Sequence, residues 1–245
     1  MSNRTVSVNH AVPAAVPAAV LAAVLAALLA QRRRTAKPVI SLRRLQQLLV
    51  SLMVLLTLAS CAARTVNVEG SYPRPNIPAI PLVLGVYYGE GLTDFMYTEL
   101  SDRGEEEYLV ASGDTHQELF NTVLPAMFER VVVLDSLEAA AAQGVDAVFI
   151  PRINEFQLGM PQKTRLDSYE VWVRYNMRLT GTDGSYIADW VMTAYGKATA
   201  SSFSTAERGI NDAAVSALRD LASNFSLGFT AVPDVNDWLQ RRSSQ

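Results

Sequence analysis

Apolar and polar residues alternate most sharply between positions 169 and 180. Tyr169, Val171, Val173, Tyr175, Met177 and Leu179 fall on one parity, and Glu170, Trp172, Arg174, Asn176, Arg178 and Thr180 on the other. Successive side chains of a strand point to opposite faces, so this stretch predicts a strand with one core face and one polar face. Gly181-Thr182-Asp183-Gly184 predicts a turn, and residues 185–199 return as the partner strand of a hairpin. Helical spacing appears twice. Leu119, Phe120, Val123, Leu124, Met127 and Phe128 make one broad apolar stripe behind Thr115 and Glu118, which have the form of a capping box. Ser204 and Glu207 repeat the box ahead of Ile210, Ala214, Ala217, Leu218, Leu221 and Phe225. The spacing therefore predicts helices over 115–129 and 204–225.

Shorter signals fill the gaps. Residues 82–88, 106–111 and 130–134 are rich in β-formers, and 146–158 opens on an apolar run with Pro151, which marks a bulge or an edge. Residues 136–143 predict a short Ala-rich helix ended by Gly144, while 92–100 fits either state. Strands, a helix, more strands, a long hairpin and a final helix predict an α+β fold: a two-layer domain, mostly antiparallel sheet, with two main amphipathic helices on one face. That domain is expected over residues 82–230, followed by a polar tail, 231–245, which contains Trp238. Pro73, Pro75, Pro78 and Pro81 favour extended backbone, so 61–81 reads as a tether unless residues 77–80 pack on the domain edge.

Charge divides the chain of 245 residues at the same place. Seven of the 21 Lys and Arg lie in residues 1–60, which hold no Asp or Glu, leaving 14 basic residues against 24 acidic ones in the rest. The net charge of −3 thus hides a basic leader and an acidic body. An acidic body argues against nucleic acid, which needs clustered cations, and against attachment to anionic lipid by charge alone.

Within the leader, Arg43-Arg44 precedes an apolar run, Leu45 to Thr57, and then Leu58-Ala59-Ser60-Cys61. The run is shorter than the ~20 residues of a spanning helix and has the layout of a signal peptide. Leu58-Ala59-Ser60-Cys61 resembles the bacterial lipobox, in which the cysteine sulfur takes a diacylglyceryl group and a peptidase then cuts before that cysteine. The resemblance implies cleavage between Ser60 and Cys61 and lipid attachment at Cys61. Cys61 is the single cysteine of the chain, so neither an internal disulfide nor a multi-Cys zinc site is open to it. The alternative is a buried cysteine ending an uncleaved anchor helix. Ala62 follows in place of the Asp that retains lipoproteins in the inner membrane, which implies the outer membrane, with the domain in the periplasm. Residues 39–60 make an ordinary lipoprotein leader, so 1–38, with its own apolar stretch from Ala11 to Ala30, is expected either to precede the true start at Val39 or to be an extra apolar helix.

Catalytic signals are few. His116, beside Thr115, is expected to be an exposed first-turn residue, and no nucleophile motif accompanies it. Asp102 with Glu105, Glu106 and Glu107 is expected to be a solvated loop rather than a cation site, and Gly85 to Gly91 lacks the residues of a phosphate-binding loop. No catalytic residue, metal or cofactor is expected. Trp172, Arg174, Asn176 and Arg178 would form an exposed row if the opposite parity faces the core, and Trp and Arg are residues that anchor interfaces. A helix or the tether could instead cover them.

Taken together, the lipobox at Leu58–Cys61, the tether and the strand–helix–strands–helix order resemble the small outer-membrane assembly lipoproteins. Those are the lipopolysaccharide-assembly lipoprotein and the auxiliary lipoproteins of lipid-trafficking ABC systems. The resemblance spans most of 61–229 and is one of topology, so it carries over no functional residue except the lipidated cysteine. It implies a non-enzymatic accessory or docking subunit of an envelope transport or assembly complex, with an envelope protein as partner. Alternatives are a lipid- or glycan-binding periplasmic module, which would need a large pocket between sheet and helices, and a hydrolase with an unrecognised site.

Overall fold

The computed structural model describes residues 63–104 and 106–244, together with Gln47 and Ser51, which are helical and exposed. Residues 63–245 form one compact unit. Ser60, Cys61 and Glu105 lie outside the described residues.

The hairpin forms as the alternation demands. β7 (Ser168–Thr180) pairs antiparallel with β8 (Tyr186–Thr199) on one side and with β6 (Ala147–Gly159) on the other. Two parallel strands extend this meander: β2 (Ile80–Val86) against β6, and β5 (Phe128–Val133) against β2, giving the order β5-β2-β6-β7-β8. Parallel strands need both faces covered. Here α1 (Gly113–Met127) contributes to the main core on one face, while a 3-10 segment, Leu137–Gln143, closes a small cluster of Leu134, Ala140, Val145, Val148 and Ile150 on the other. That double coverage explains why 82–86 is a continuous apolar run and not an alternating one. Pro81 falls at the register shift between Ile80 and Val83, where its missing N–H is tolerated. The fold is α+β as expected, but the sheet is mixed, because β2 and β5 join an antiparallel meander through long crossovers that no local pattern marks.

Both helices lie on the inner face of this sheet. α2 (Ala206–Gly228) buries Ile210, Ala214, Ala217, Leu218, Leu221 and Phe225, and Phe120 of α1 meets Phe225, Phe149 and Tyr175 edge-on, while Phe149 and Phe225 meet tilted. Each such aromatic contributes about 1.5–3 kcal/mol by burial. α2 approaches β8 so closely that a Cβ at Gly196 would stand 2.1 Å from the Ala213 carbonyl oxygen.

Four expectations are corrected. α1 begins at Gly113, not Thr115, since a glycine there lets the helix start against the Thr93 backbone, and Thr115 bonds Tyr72 (Oγ1 to hydroxyl, 2.7 Å) in place of a capping box. α2 is capped by Thr205, which accepts from the Arg208 N–H, and not by Ser204. The tether is not one: β1 (Arg64–Asn67) pairs parallel with β4 (Glu106–Ala111), which also pairs with β3 (Met96–Leu100) in a second, three-stranded sheet. Val66, Val68 and Tyr72 are buried, and the Ser71 carbonyl accepts from Arg219 of α2. Proline becomes dense only from residue 73, and three apolar side chains suffice to dock what precedes it. Nor is 231–245 a free tail. α3 (Pro233–Ser243) buries Val235 completely, and Arg242 reaches Asp146 (2.5 Å), whose other oxygen accepts from the Val83 N–H.

Candidate functional site

Four residues expected to share one face do so. Trp172, Arg174, Asn176 and Arg178 point away from the helices, while Tyr169 through Leu179 of the other parity are buried. The register sets their neighbours. Arg174 stands between Glu155 of β6 and Thr193 of β8, Asn176 between Arg152 and Val191, and Trp172 between Gln157 and Tyr195. The Trp172 and Tyr195 rings lie 4.4 Å apart, tilted by 44°, and Trp172 remains 49% exposed. Arg174 pairs with Glu155 at 3.1 Å, and Arg178 donates from Nε and Nη2 to Asp189 Oδ2 at 3.1 and 2.6 Å. Glu170 accepts from the Tyr195 hydroxyl (3.1 Å) and faces Lys197 (3.6 Å). The result is a tilted aromatic pair set between the cross-strand ion pairs Glu170–Lys197 and Arg174–Glu155. Tyr195 and Val191 were not among the residues singled out from the sequence, although their parity within 185–199 identifies them.

Neither α1 nor α2 covers this row, and residues 69–72 dock on those helices, through Glu69 to Asn211, Gly70 on Val215 and Tyr72 to Thr115. The edge of the sheet is partly closed at Tyr195, whose backbone N–H donates to Asp220 Oδ2 of α2 at 3.2 Å.

His116 is placed differently from expectation. It is 1% exposed, with Nδ1 2.6 Å from the Tyr175 hydroxyl and Nε2 3.0 Å from Ser112 Oγ. The helix is capped at Ser112, and position 116 lies three and four residues before Leu119 and Phe120, on the buried face of the same stripe. A neutral imidazole has one donor and one acceptor, so the two hydroxyls satisfy it fully. Burial pushes its pKa down to about 3, because the charged ring would lose its hydration. His116 is thus a neutral core residue and no surface base.

The region between sheet and helices is filled by Phe120, Phe149, Phe225 and Phe229, and every buried side-chain polar atom among the described residues has a partner. Two open surface hollows are lined mainly by polar residues. One of about 570 Å³ lies on α3 beside Asp237, Gln240 and Arg241, and one of about 310 Å³ lies beside Ser101, Arg103 and Lys163. Lys163 is engaged within the fold, 2.5 Å from Glu99 Oε1, 3.7 Å from Glu107 and bonded to the Leu100 carbonyl. Among the described residues no cluster of His, Cys, Asp and Glu could hold a metal, and no helix is long and apolar enough to cross a membrane.

No protein-family model matches the sequence, and no curated protein matches it. Solved structures share parts of the architecture. A Xanthomonas campestris protein of the DUF330 family is 16% identical over 75% of this chain and all of that one, with a TM-score of 0.46. A minor lipoprotein from Acinetobacter baumannii is 12% identical over 63% of this chain and 94% of its own, with a TM-score of 0.39. Lipoprotein B of Nitrosomonas europaea is 11% identical over 62% and 86%, with a TM-score of 0.35.

Proposed function

We propose that the chain is a bacterial envelope lipoprotein, anchored through acylated Cys61, whose periplasmic domain docks on an envelope protein and performs no chemistry of its own. The observation that carries the docking reading is the contrast between a filled core and the half-exposed row of Trp172, Arg174, Asn176 and Arg178. A carrier of lipid or glycan would need its space between sheet and helices, where aromatic side chains already touch. A hydrolase would need a titratable group open to substrate, and His116 is enclosed. Trp and Arg on one half-exposed face, among polar groups, match the composition of interface anchors. Ala62 favours export to the outer membrane, where the complex served would be one of transport or assembly.

The test is a photoreactive residue at position 172, incorporated into the full chain and irradiated in native membranes. A discrete, reproducible adduct with an envelope protein is expected, and the same residue at Leu227 should not form it. Recovery of free monomer alone from position 172 overturns the docking reading. Loss of membrane attachment in Cys61→Ser tests the anchor separately.

A further inference from the structure

Cys61 stands three residues before Arg64, the first residue of β1. An extended chain spans at most about 3.6 Å per residue, so a lipid on Cys61 lies within about 11 Å of the start of β1. β1 is itself fixed in the domain by pairing with Tyr108–Ala111 and by burial of Val66. Whatever end of the domain contains Arg64 is therefore held at the bilayer, with no tether to lift it away.

That end has an unusual composition. The Arg64 guanidinium is 3.6 Å from Glu207, in the first turn of α2. The loop leading into that turn carries Phe203, which at 101% is the most exposed large hydrophobic residue among those described. Ser201 builds this turn, accepting the Ser204 N–H at its carbonyl (3.1 Å) and the Phe203 N–H at its hydroxyl (3.2 Å). The Ala200 N–H donates to the Asp167 carbonyl at 2.9 Å, bringing alongside a second turn whose Leu166 is 46% exposed. Arg165 precedes it in the left-handed region, at φ 59°, and is exposed as well. A single exposed apolar residue needs no explanation. Two on adjoining turns, beside the point from which the anchor departs, do.

We infer that the Phe203 and Leu166 turns form a rim that contacts the bilayer carrying the anchor. This rests on the reading of Cys61 as acylated and deepens it. Phe203 enters the boundary between headgroups and acyl chains, and Arg165 snorkels to the headgroups beside it. Acyl chains supply the attachment, so the rim sets orientation: it fixes which way the domain faces. α2 then leads away from the membrane, and Leu227, 74% exposed, sits about 30 Å further along that helix.

The chain's cysteine content supplies the test. With the Cys61 sulfur acylated, Phe203→Cys or Leu227→Cys in the full lipidated protein offers a single thiol for an environment-sensitive fluorophore. Each is reconstituted in phosphatidylethanolamine–phosphatidylglycerol vesicles with and without brominated acyl chains, and its intact mass reports acylation. At position 203 the emission should shift to the blue and be quenched by the brominated lipid. At 227 it should do neither. An acylated chain whose two labels behave alike overturns the rim and leaves the anchor standing. A chain without acyl mass overturns the anchor reading and the rim with it.

Discussion

On the inner face of β7, Tyr175, Met177 and Leu179 are wholly buried, whereas on the outer face of the same strand Trp172, Arg174 and Arg178 stand half in water. One pleat separates the two sets, yet they are held by different physics. Inner residues gain by leaving water and by filling space to crystal density, so their shape is constrained to a methylene. Outer residues gain little: exposed ion pairs are worth about 0–1 kcal/mol each. Stability resides on one side of the strand, and the other side is chemically free to be a recognition surface. The His116 network belongs to the first kind, although its members are polar, because none of its hydrogen bonds is shared with solvent.

Substitutions should separate the two faces by size of effect. Phe120→Ala removes a ring that meets Phe149, Tyr175 and Phe225, and should destabilise the domain by about 3–5 kcal/mol in guanidinium unfolding. Gly196→Ala forces a methyl onto the α2 backbone at Ala213 and Ala217, with an expected loss of about 1–3 kcal/mol and a separation of α2 from β8 visible as faster amide exchange. Tyr175→Phe keeps the shape but strands Nδ1 of His116, costing about 1–3 kcal/mol by the same unfolding measurement. A loss indistinguishable from zero there would mean that the buried network contributes nothing.

Acid tests the same network. Folded His116 has a pKa near 3 and the unfolded chain's histidine titrates near 6.5, so the folded value is the depressed one. The unfolded state therefore binds the proton first as pH falls. The contribution of His116 is complete above pH 6.5 and is lost progressively toward pH 3. Because carboxylates titrate in the lower part of this window, the measurement is the difference in unfolding midpoint between the natural chain and His116→Gln, plotted against pH. It should narrow or reverse as pH drops, and a constant difference would contradict the buried neutral ring.

The outer face should respond least in stability. Arg178→Ala removes the pair with Asp189 and should change unfolding by about 1 kcal/mol or less. Trp172→Ala should be similarly mild in unfolding, yet abolish any partner adduct formed from that face. Comparable stability losses on both faces would erase the distinction drawn between them.

Much of the architecture was legible because period-2 and period-3.6 patterns report burial directly. Residues 169–180, 185–199 and 106–111, and the stripes around Phe120 and Phe225, needed no tertiary information. The row Trp172–Arg178 was legible by the same parity. What failed was local chemistry with two possible readings. Thr115 and Ser204 both look like caps, but the chain starts α1 where Gly113 meets the Thr93 backbone and α2 where Thr205 happens to accept. His116 was misplaced because a first-turn position was taken as exposed, although it stands at helical spacing from Leu119 and Phe120 and so shares their buried face. Residues 64–72 and 233–243 looked polar and loose, because a segment that docks through three apolar side chains leaves no period long enough to read.

By itself the sequence determined the basic, apolar first sixty residues that end in the lipobox-like Leu58–Cys61, the acidic body, the strand alternation and the two amphipathic helices, all of which depend on neighbours in the chain. Tertiary structure alone decided that β2 and β5 join the meander in parallel, that Asp146 ties Val83 to Arg242, and that Tyr175 and Ser112 enclose His116. These are pairings between distant residues, and their energy depends on which surfaces remain to be covered once the local elements exist. The same holds for the end of the domain at Arg64. Sequence places the cysteine three residues away, and only the fold brings Glu207, just after the Phe203 turn, to Arg64.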